Sequence, residues 1–311
     1  MSLKAYFYLE NFIKISVGFL FKSKLKNFAS EVINSSVTDK EILSRVDYYI
    51  SMKNSFELCD KSISIKEFNL RDYPSMPSID LLRVLQYFPD ELRFNTFLFD
   101  FKENFKIPTI VKCRPVGQSA VNCVLLKLNK FRFFNFPKDD LVFLKKTNTA
   151  IFRGACHKTH RKCFVETNYR IPKTDIKDTR KESRGKPYFS AFTTVKEQLR
   201  HKFIISIEGN DVASNLPWIM ASNSIAFMTK PKFEGWFMQG RLIPNYHYVL
   251  LKDDYSDLEE KIDYYSSNEA EAHEINHNAK KHVAQFFDKR TELITSLLVL
   301  EKYFRLSGQM D

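Results

Sequence analysis

Asp72 lies between Arg71 and Tyr73 in the segment Arg71-Asp72-Tyr73-Pro74. Pro74 and Pro77 are incompatible with a continuous helix there, so the carboxylate is expected in a fixed loop. An acid held in that way can take the proton of an attacking hydroxyl, with Arg71 and Tyr73 beside it as acceptor or phosphate contacts. It can equally cap the helix that follows or pair with Arg71. Further along, Phe152-Arg153-Gly154 puts an arginine and a glycine at the end of an apolar run. The planar guanidinium matches phosphate oxygens, and a structural ion pair is the competing use. Cys156, His157, Lys158, His160, Arg161 and Cys163 crowd the next segment. Their spacing fits no standard zinc pattern, so His157 and Arg161 read as an anion site and no metal is expected. Glu208-Gly209-Asn210-Asp211 is a polar turn after a run with three isoleucines. Glu234, after another apolar run, is placed either to hold ribose hydroxyls or to begin a helix.

These residues need elements to position them. Residues 203–207 read as a strand buried on both faces, and 212–221 as a helix with Asp211 as N-cap. Strand, glycine turn and helix N-terminus together suit a phosphate, because unpaired amides and the helix dipole face the anion. The chain has only 8 Gly, so a glycine in this turn is informative. Before it, the pattern predicts helices over 3–30, 39–52 and 79–88, and strands over 66–70, 94–101 and 107–112. A helix over 137–147, a strand at 150–155 and a helix over 158–166 follow. Residues 168–187, with six Lys or Arg from 173 to 186, read as a solvated loop able to close over an anion. From 194 the alternation is regular: helix 194–201, strand 203–207, helix 212–221, strand 224–228, helix 233–239 and strand 246–251. Helices over 256–267, 269–287 and 288–306 complete the chain. Strands alternating with helices imply a covered parallel sheet. The expectation is α/β: two Rossmann-like domains with a cleft between them, over 1–145 and 146–287, and a C-terminal helix over 288–311.

Composition supports a folded chain with anionic partners. Of 311 residues, 44% are hydrophobic and 14% aromatic, enough for a large core. The formal net charge of +11 favours a nucleotide, nucleic acid, phospholipid surface or acidic glycan. The five cysteines lack any CxxC pair and read as reduced thiols in a cytoplasmic protein. The first segment carries Glu10 and Lys14 among its apolar residues, and 15–21 is too short to span a bilayer, so neither a signal peptide nor a membrane-spanning anchor is expected. Its aromatics interleaved with Lys14, Lys22, Lys24 and Lys26 suit an anionic membrane surface, or else the helix packs on its own domain. Phosphate-loop, dinucleotide, hydrolase-elbow and zinc-protease patterns are lacking, as is an Asp-x-Asp pair. A non-catalytic basic protein that binds nucleic acid or a membrane is the rival class, although no recognised nucleic-acid module is present.

Four blocks carry a resemblance. They are Arg71-Asp72-Tyr73-Pro74, Ala150-Ile151-Phe152-Arg153-Gly154, the stretch 202–215, and 244–249 followed by 257–262. In this order they resemble glycosyltransferase family 90, which includes animal protein O-glucosyltransferases, fungal capsule xylosyltransferases and bacterial lipopolysaccharide-modifying enzymes; the Glu-Gly-Asn-Asp-Val-Ala turn is most similar to the bacterial branch. The resemblance implies a GT-B fold, inversion, and a UDP-sugar donor used as substrate with no required cofactor or metal. It implies that Asp72 is the catalytic base, that Arg153 and Gly154 meet the diphosphate, and that Glu208, Gly209, Asn210, Asp211, Ala213, Ser214 and Asn215 line the nucleotide, with Glu234 near the ribose. Where animal members carry an arginine after Ala-Ser, this chain has Asn215-Leu216-Pro217. Arg241, Lys186 or the amides of the turn must then replace it. The acceptor implied is a glycan or glycolipid such as a lipopolysaccharide core, at the cytoplasmic face of a bacterial inner membrane. A GT-B enzyme of another family remains an alternative.

Overall fold

Local capping and turn chemistry explain where most elements begin. The computed structural model describes residues 3–36, 38–101, 104–117 and 120–311. It divides into two compact units: Met1–Arg132 with Glu234–Phe237 and Phe286–Asp311, and Phe133–Phe233 with Met238–Gln285.

The first unit starts with α1 (Leu3–Leu20) and α2 (Lys22–Ser36), two helices where one is expected over 3–30. α3 (Lys40–Tyr49) follows a cap by Asp39, whose Oδ1 accepts from the N–H of Glu41 at 3.0 Å and of Ile42 at 3.1 Å. β1 (Ile63–Ser64) is short, and the strand expected over 66–70 is instead a turn. The Glu67 carboxylate causes this by accepting from both the N–H and the hydroxyl of Ser64, each at 2.8 Å. α4 (Met76–Leu85) starts three residues earlier than expected. Ser75 Oγ caps it by accepting from Ser78 N–H at 3.3 Å, and Pro77 fits the first turn, where its missing N–H has no bond to make. Then come β2 (Arg93–Phe94), β3 (Thr96–Phe97), β4 (Thr109–Val111), β5 (Cys113–Pro115), β6 (Cys123–Leu125) and α5 (Lys130–Phe133). β3, β4 and β6 form a parallel sheet in that order, and β1 pairs antiparallel with β2.

The second unit is built on one parallel sheet. β7 (Thr147–Gly154), α6 (Thr159–Asn168), β8 (Thr174–Asp178), α7 (Val195–Gln198), β9 (His201–Ile205), α8 (Leu216–Ala221) and β10 (Ile225–Met228) follow one another. β11 (Phe233–Gly235) then pairs with β5, and the chain continues through β12 (Val249–Leu250), α9 (Leu258–Ser267) and α10 (Glu269–Ala284) to α11 (Lys289–Leu306). The main sheet has the order β12-β10-β9-β7-β8, every pair parallel. Phe152, Ile176, Phe203, Ile205 and Phe227 form its core, as the continuous apolar runs require. The protein is therefore a mixed α/β chain with parallel sheets.

Four expectations fail here for identifiable reasons. Residues 137–147 are extended up to a single turn of 3-10 helix at Phe143–Lys145. The Asp139 carboxylate holds them open by binding Lys146 Nζ and the N–H of Asn223, each at 2.8 Å. The basic stretch 168–187 contains β8, because Ile176 is fully buried at the sheet edge. The helix expected from 212 begins only at Leu216, so Asp211 is not its cap. Asn215 holds the preceding turn extended: its Oδ1 accepts from Ser206 Oγ at 2.9 Å and its Nδ2 donates to the Ile205 carbonyl at 3.2 Å. The helix expected over 233–239 is β11 followed by a 3-10 turn at Gln239–Arg241.

Candidate functional site

In the second unit the strand order reverses between β7 and β9. The chain steps from β7 outward to β8, then returns to β9 on the other side of β7. Such a switch point leaves a crevice at the carboxyl ends of the two strands, where open α/β sheets bind ligands. The loop after β7 leads into α6, and the loop after β9 is the Glu208–Gly209 turn. The two loops meet directly. His160 Nε2 lies 2.8 Å from the Glu208 carbonyl, and Arg161 Nε donates to the same oxygen at 2.9 Å. Arg161 Nη2 also donates to the Ile207 carbonyl. A Cβ placed on Gly209 would come within 3.5 Å of Arg161 Nη2, so the guanidinium lies against the glycine turn. Sequence spacing alone does not bring Arg161, His160 and Gly209 together; the sheet order does.

Hydrogen bonds close the turn. Gly209 N–H donates to the Asp211 carbonyl at 2.9 Å, so that amide is satisfied within the turn. The Glu208 carboxylate accepts from the N–H of Lys232 and of Phe233, each at 3.0 Å, and fixes the loop after β10. Burial pushes the Glu208 carboxyl above its usual range, against the opposing pull of those two N–H groups. Asn210 is exposed, Ser214 and Asn215 are half-buried, and Asp211 and Ala213 are buried.

Arg153 takes the structural option. Its Nη1 donates to the Asp175 carbonyl at 2.6 Å and the Phe152 carbonyl at 3.0 Å, its Nε donates to Thr193 Oγ1 at 3.1 Å, and Nη2 pairs with the Asp175 carboxylate. Gly154 is required by a neighbour: a Cβ there would sit 2.9 Å from the Phe152 ring. Glu234 is buried in the first unit, where Arg114 Nε donates to it at 2.8 Å and Tyr48 donates its hydroxyl. It therefore anchors β11 and β5 rather than ending a strand of the main sheet. His157, Lys186 and Arg241 are exposed in the second unit.

A residue that sequence reasoning overlooks orders the loop after β7. Asp178, at the end of β8, accepts from Cys156 N–H at 3.1 Å, from Arg180 N–H at 3.0 Å, from Arg180 Nε at 2.9 Å and Nη2 at 2.8 Å, and from Ser183 Oγ. Burial acts to raise its carboxyl, but the Arg180 guanidinium, the Ser183 hydroxyl and the two N–H groups outweigh it and hold the group below the usual carboxylate range. Burial, with Asp178 nearby, pushes the Cys156 thiol up to about 12, which makes it a structural thiol. Among the described residues no group of His, Cys, Asp and Glu gathers into a metal site.

In the first unit Asp72 is exposed in the turn between β1 and α4. Asn69 orders it: Nδ2 donates to Asp72 Oδ2 at 2.7 Å, while Oδ1 accepts from the N–H of Arg71 at 3.0 Å and of Asp72 at 3.1 Å. The Asn-x-x-Asp spacing was the available signal for this turn. The Asp72 carboxylate is bound by Asn69, and the cap of α4 belongs to Ser75. Tyr73 packs on Phe68, ring centroids 5.1 Å apart, and lines a cavity of about 320 Å³. Lys61, Lys106, Asn95, Phe97 and Phe105 also line it. Asp72 is the chain neighbour of Tyr73 but does not itself line the cavity, whose walls are aromatic, amide and cationic groups.

Comparison with known proteins identifies the family. The profile of Glycosyl transferase family 90 matches residues 134–306. The chain is 42% identical over 265 residues to the O-glucosyltransferase LpsA of Dichelobacter nodosus, covering 85% of this chain and 83% of that protein. It is 33% identical over 106 residues to an uncharacterized protein of Invertebrate iridescent virus 6, covering 32% of this chain and 9% of the viral one. It is 27% identical over 142 residues to Protein O-glucosyltransferase 3 of Homo sapiens, covering 43% of this chain and 27% of the human one. The chain belongs to glycosyl transferase family 90, the family that its four sequence blocks resemble.

Proposed function

We propose that this glycosyltransferase is an inverting enzyme of the GT-B type that moves a sugar from a UDP-sugar to a hydroxyl of a glycan acceptor. The observation that carries this reading is the exposed Asp72 carboxylate, oriented by Asn69 and preceding in the chain the cavity-lining Tyr73. In the reaction the acceptor hydroxyl oxygen attacks the anomeric carbon and its proton passes to Asp72. The bond from that carbon to the diphosphate breaks, and UDP leaves with the electron pair. A general base in this role contributes roughly 10²–10⁴-fold.

The leaving diphosphate needs cationic or N–H partners where its charge develops. Arg161 and His160 also bind carbonyls of the Glu208–Gly209 turn, and their position at the switch point of the sheet supports that role; Arg153 is ion-paired with Asp175. Arg161 thus supplies the cation that Leu216-Pro217 lacks. The relative named as an O-glucosyltransferase supports glucose as the first sugar to test. Lys61 and Lys106 on the cavity wall suit a phosphorylated glycan such as a lipopolysaccharide core, which would place the enzyme at the cytoplasmic face of an inner membrane. Family membership favours transfer over the non-catalytic reading of the basic charge.

The test is transfer from a panel of UDP-sugars to deacylated core oligosaccharide, with wild type and Asp72→Asn side by side. Wild type should convert one donor with inversion, and the variant should bind UDP normally but turn over about 10²–10⁴-fold more slowly. Retention of configuration, or wild-type turnover by the variant, would reject the mechanism.

A further inference from the structure

α1 packs on its own unit through a narrow stripe and leaves most of its apolar surface outside. The stripe is Phe7, Asn11, Ile15 and Gly18, one turn apart along one face. Phe7 meets Phe131 at a centroid distance of 5.2 Å, Arg83 Nη1 donates to Asn11 Oδ1 at 2.9 Å, and Gln86 Nε2 donates to the Ile15 carbonyl at 2.8 Å. Gly18 lets the Gln86 amide approach so closely that a Cβ would collide with it. The other apolar residues point away. Tyr6, Tyr8, Leu9, Phe12, Ile13, Val17, Phe19, Leu20 and Phe21 are all exposed, Phe12 at 68% and Leu20 at 79%. Half of the exposed large hydrophobic residues among the described ones fall in these 16 positions, 6–21. Isolated exposed apolar residues are ordinary, but a continuous patch of this kind marks an interaction surface.

Charge identifies the occupant. The only acid in 1–30 is Glu10, and it is paired with Lys14. Lys22, Lys24 and Lys26 follow directly; Lys22 is paired with Asp90 of the same unit, whereas Lys24 is exposed with its Nζ 5.3 Å from the Phe21 ring centroid. Cations bordering aromatic and aliphatic side chains match the boundary between lipid headgroups and acyl chains, where ammonium groups reach phosphates and rings sit just below. A second copy of a chain carrying +11 would bring the same lysines together and be repelled. No helix among the described residues is long and apolar enough to cross a bilayer, so this contact is one of lying on a surface. We propose that α1 and the start of α2 dock in the plane of an anionic lipid membrane, the exposed face of α1 immersed and Lys24 and Lys26 at the headgroups.

The experiment uses the whole chain without donor or acceptor, so its result is independent of the sugar-transfer reading. The protein is sedimented with phosphatidylcholine vesicles, with or without phosphatidylglycerol, at low and high salt. It should pellet with the anionic vesicles and be released by salt. F12Q/L20Q should abolish pelleting, and K24Q/K26Q should weaken it about 5-fold per lysine. F12W, which keeps the face apolar, should show blue-shifted emission and quenching by brominated lipid, and it carries the test if F12Q/L20Q does not fold. Absence of pelleting on anionic vesicles at low salt would overturn the proposal. So would a dimer in light scattering that F12Q/L20Q dissociates, since a second copy would then cover the face.

Discussion

Asn69 grips Asp72 twice: its side-chain amide donates to the carboxylate at 2.7 Å, and its side-chain oxygen accepts from the Asp72 N–H at 3.1 Å. The carboxylate is thereby held in one orientation although it is exposed. Asn69→Ala should slow transfer by about tenfold through loss of one hydrogen bond to a charged group. Asp72→Asn should slow it far more, and neither change should alter UDP affinity or thermal stability, because both side chains are exposed. Steady-state kinetics with calorimetric UDP titration checks this. An Asn69→Ala enzyme as slow as Asp72→Asn would mean that Asn69 itself touches the reacting groups.

Arg161 and Arg153 should separate binding from folding. Arg161→Ala is expected to weaken UDP binding by tenfold or more, since charge-assisted bonds are worth about 1.5–3 kcal/mol. Arg153→Ala should leave UDP affinity intact and lower urea stability by about 1–3 kcal/mol, because Asp175 loses its partner. Loss of UDP affinity in Arg153→Ala without a change in stability would move the diphosphate to that residue.

Asp178 makes stability depend on acid. Its folded carboxyl titrates below its unfolded value of about 3.9, so its stabilisation is complete above that pH and is lost as pH falls toward the folded value. Asp178→Asn should cost about 2–3 kcal/mol at pH 7, and the gap to wild type should begin to narrow below about pH 4 and shrink further as pH falls toward the folded value. Urea denaturation at stepped pH measures it. A gap that stays constant down to pH 3 would show that the Asp178 contacts do not depend on its charge.

The second unit was the more legible half. Its strands are apolar runs, and 203–207 and 224–228 fall within two residues of β9 and β10. The first unit's strands are two or three residues long, too short for a period to register, and the apolar alternation over 66–70 lies in a turn. Turns set by one side chain, such as Glu67 on Ser64 or Asn215 on Ser206, override helix and strand patterns without leaving a periodic trace. The loop that carries Asp72 was legible because prolines mark it. The pairing of Arg153 with Asp175 was not, since only the register of β7 against β8 reveals it.

Cysteine reactivity offers an independent probe of the cavity in the first unit. Cys59 lines it, and the Ser62 hydroxyl holds the Cys59 thiol below its usual value. Burial pushes Cys123 up to about 11 and Cys156 up to about 12. N-ethylmaleimide should therefore label Cys59 and the exposed Cys163 and spare Cys113, Cys123 and Cys156. Labelled wild type should lose transfer while still binding UDP, and Cys59→Ser should be protected. Full transfer by protein carrying the label on Cys59 would place the acceptor elsewhere.

Glu292 of α11 receives Arg45 Nη2, Lys127 Nζ and, at 2.8 Å, Trp236 Nε1, all buried in the first unit. Arg45 and Glu292 are 247 positions apart. A ribosome releases Arg45 and Lys127 long before Glu292, so until the last helix emerges two cations destined for the interior lack the carboxylate they meet in the folded unit. The first unit to be synthesised is thus among the last to be finished. Cutting the gene at the boundary near 132 would yield a fragment that cannot close its core, and a stop codon before α11 would disable the acid-bearing half of the enzyme rather than trim a tail.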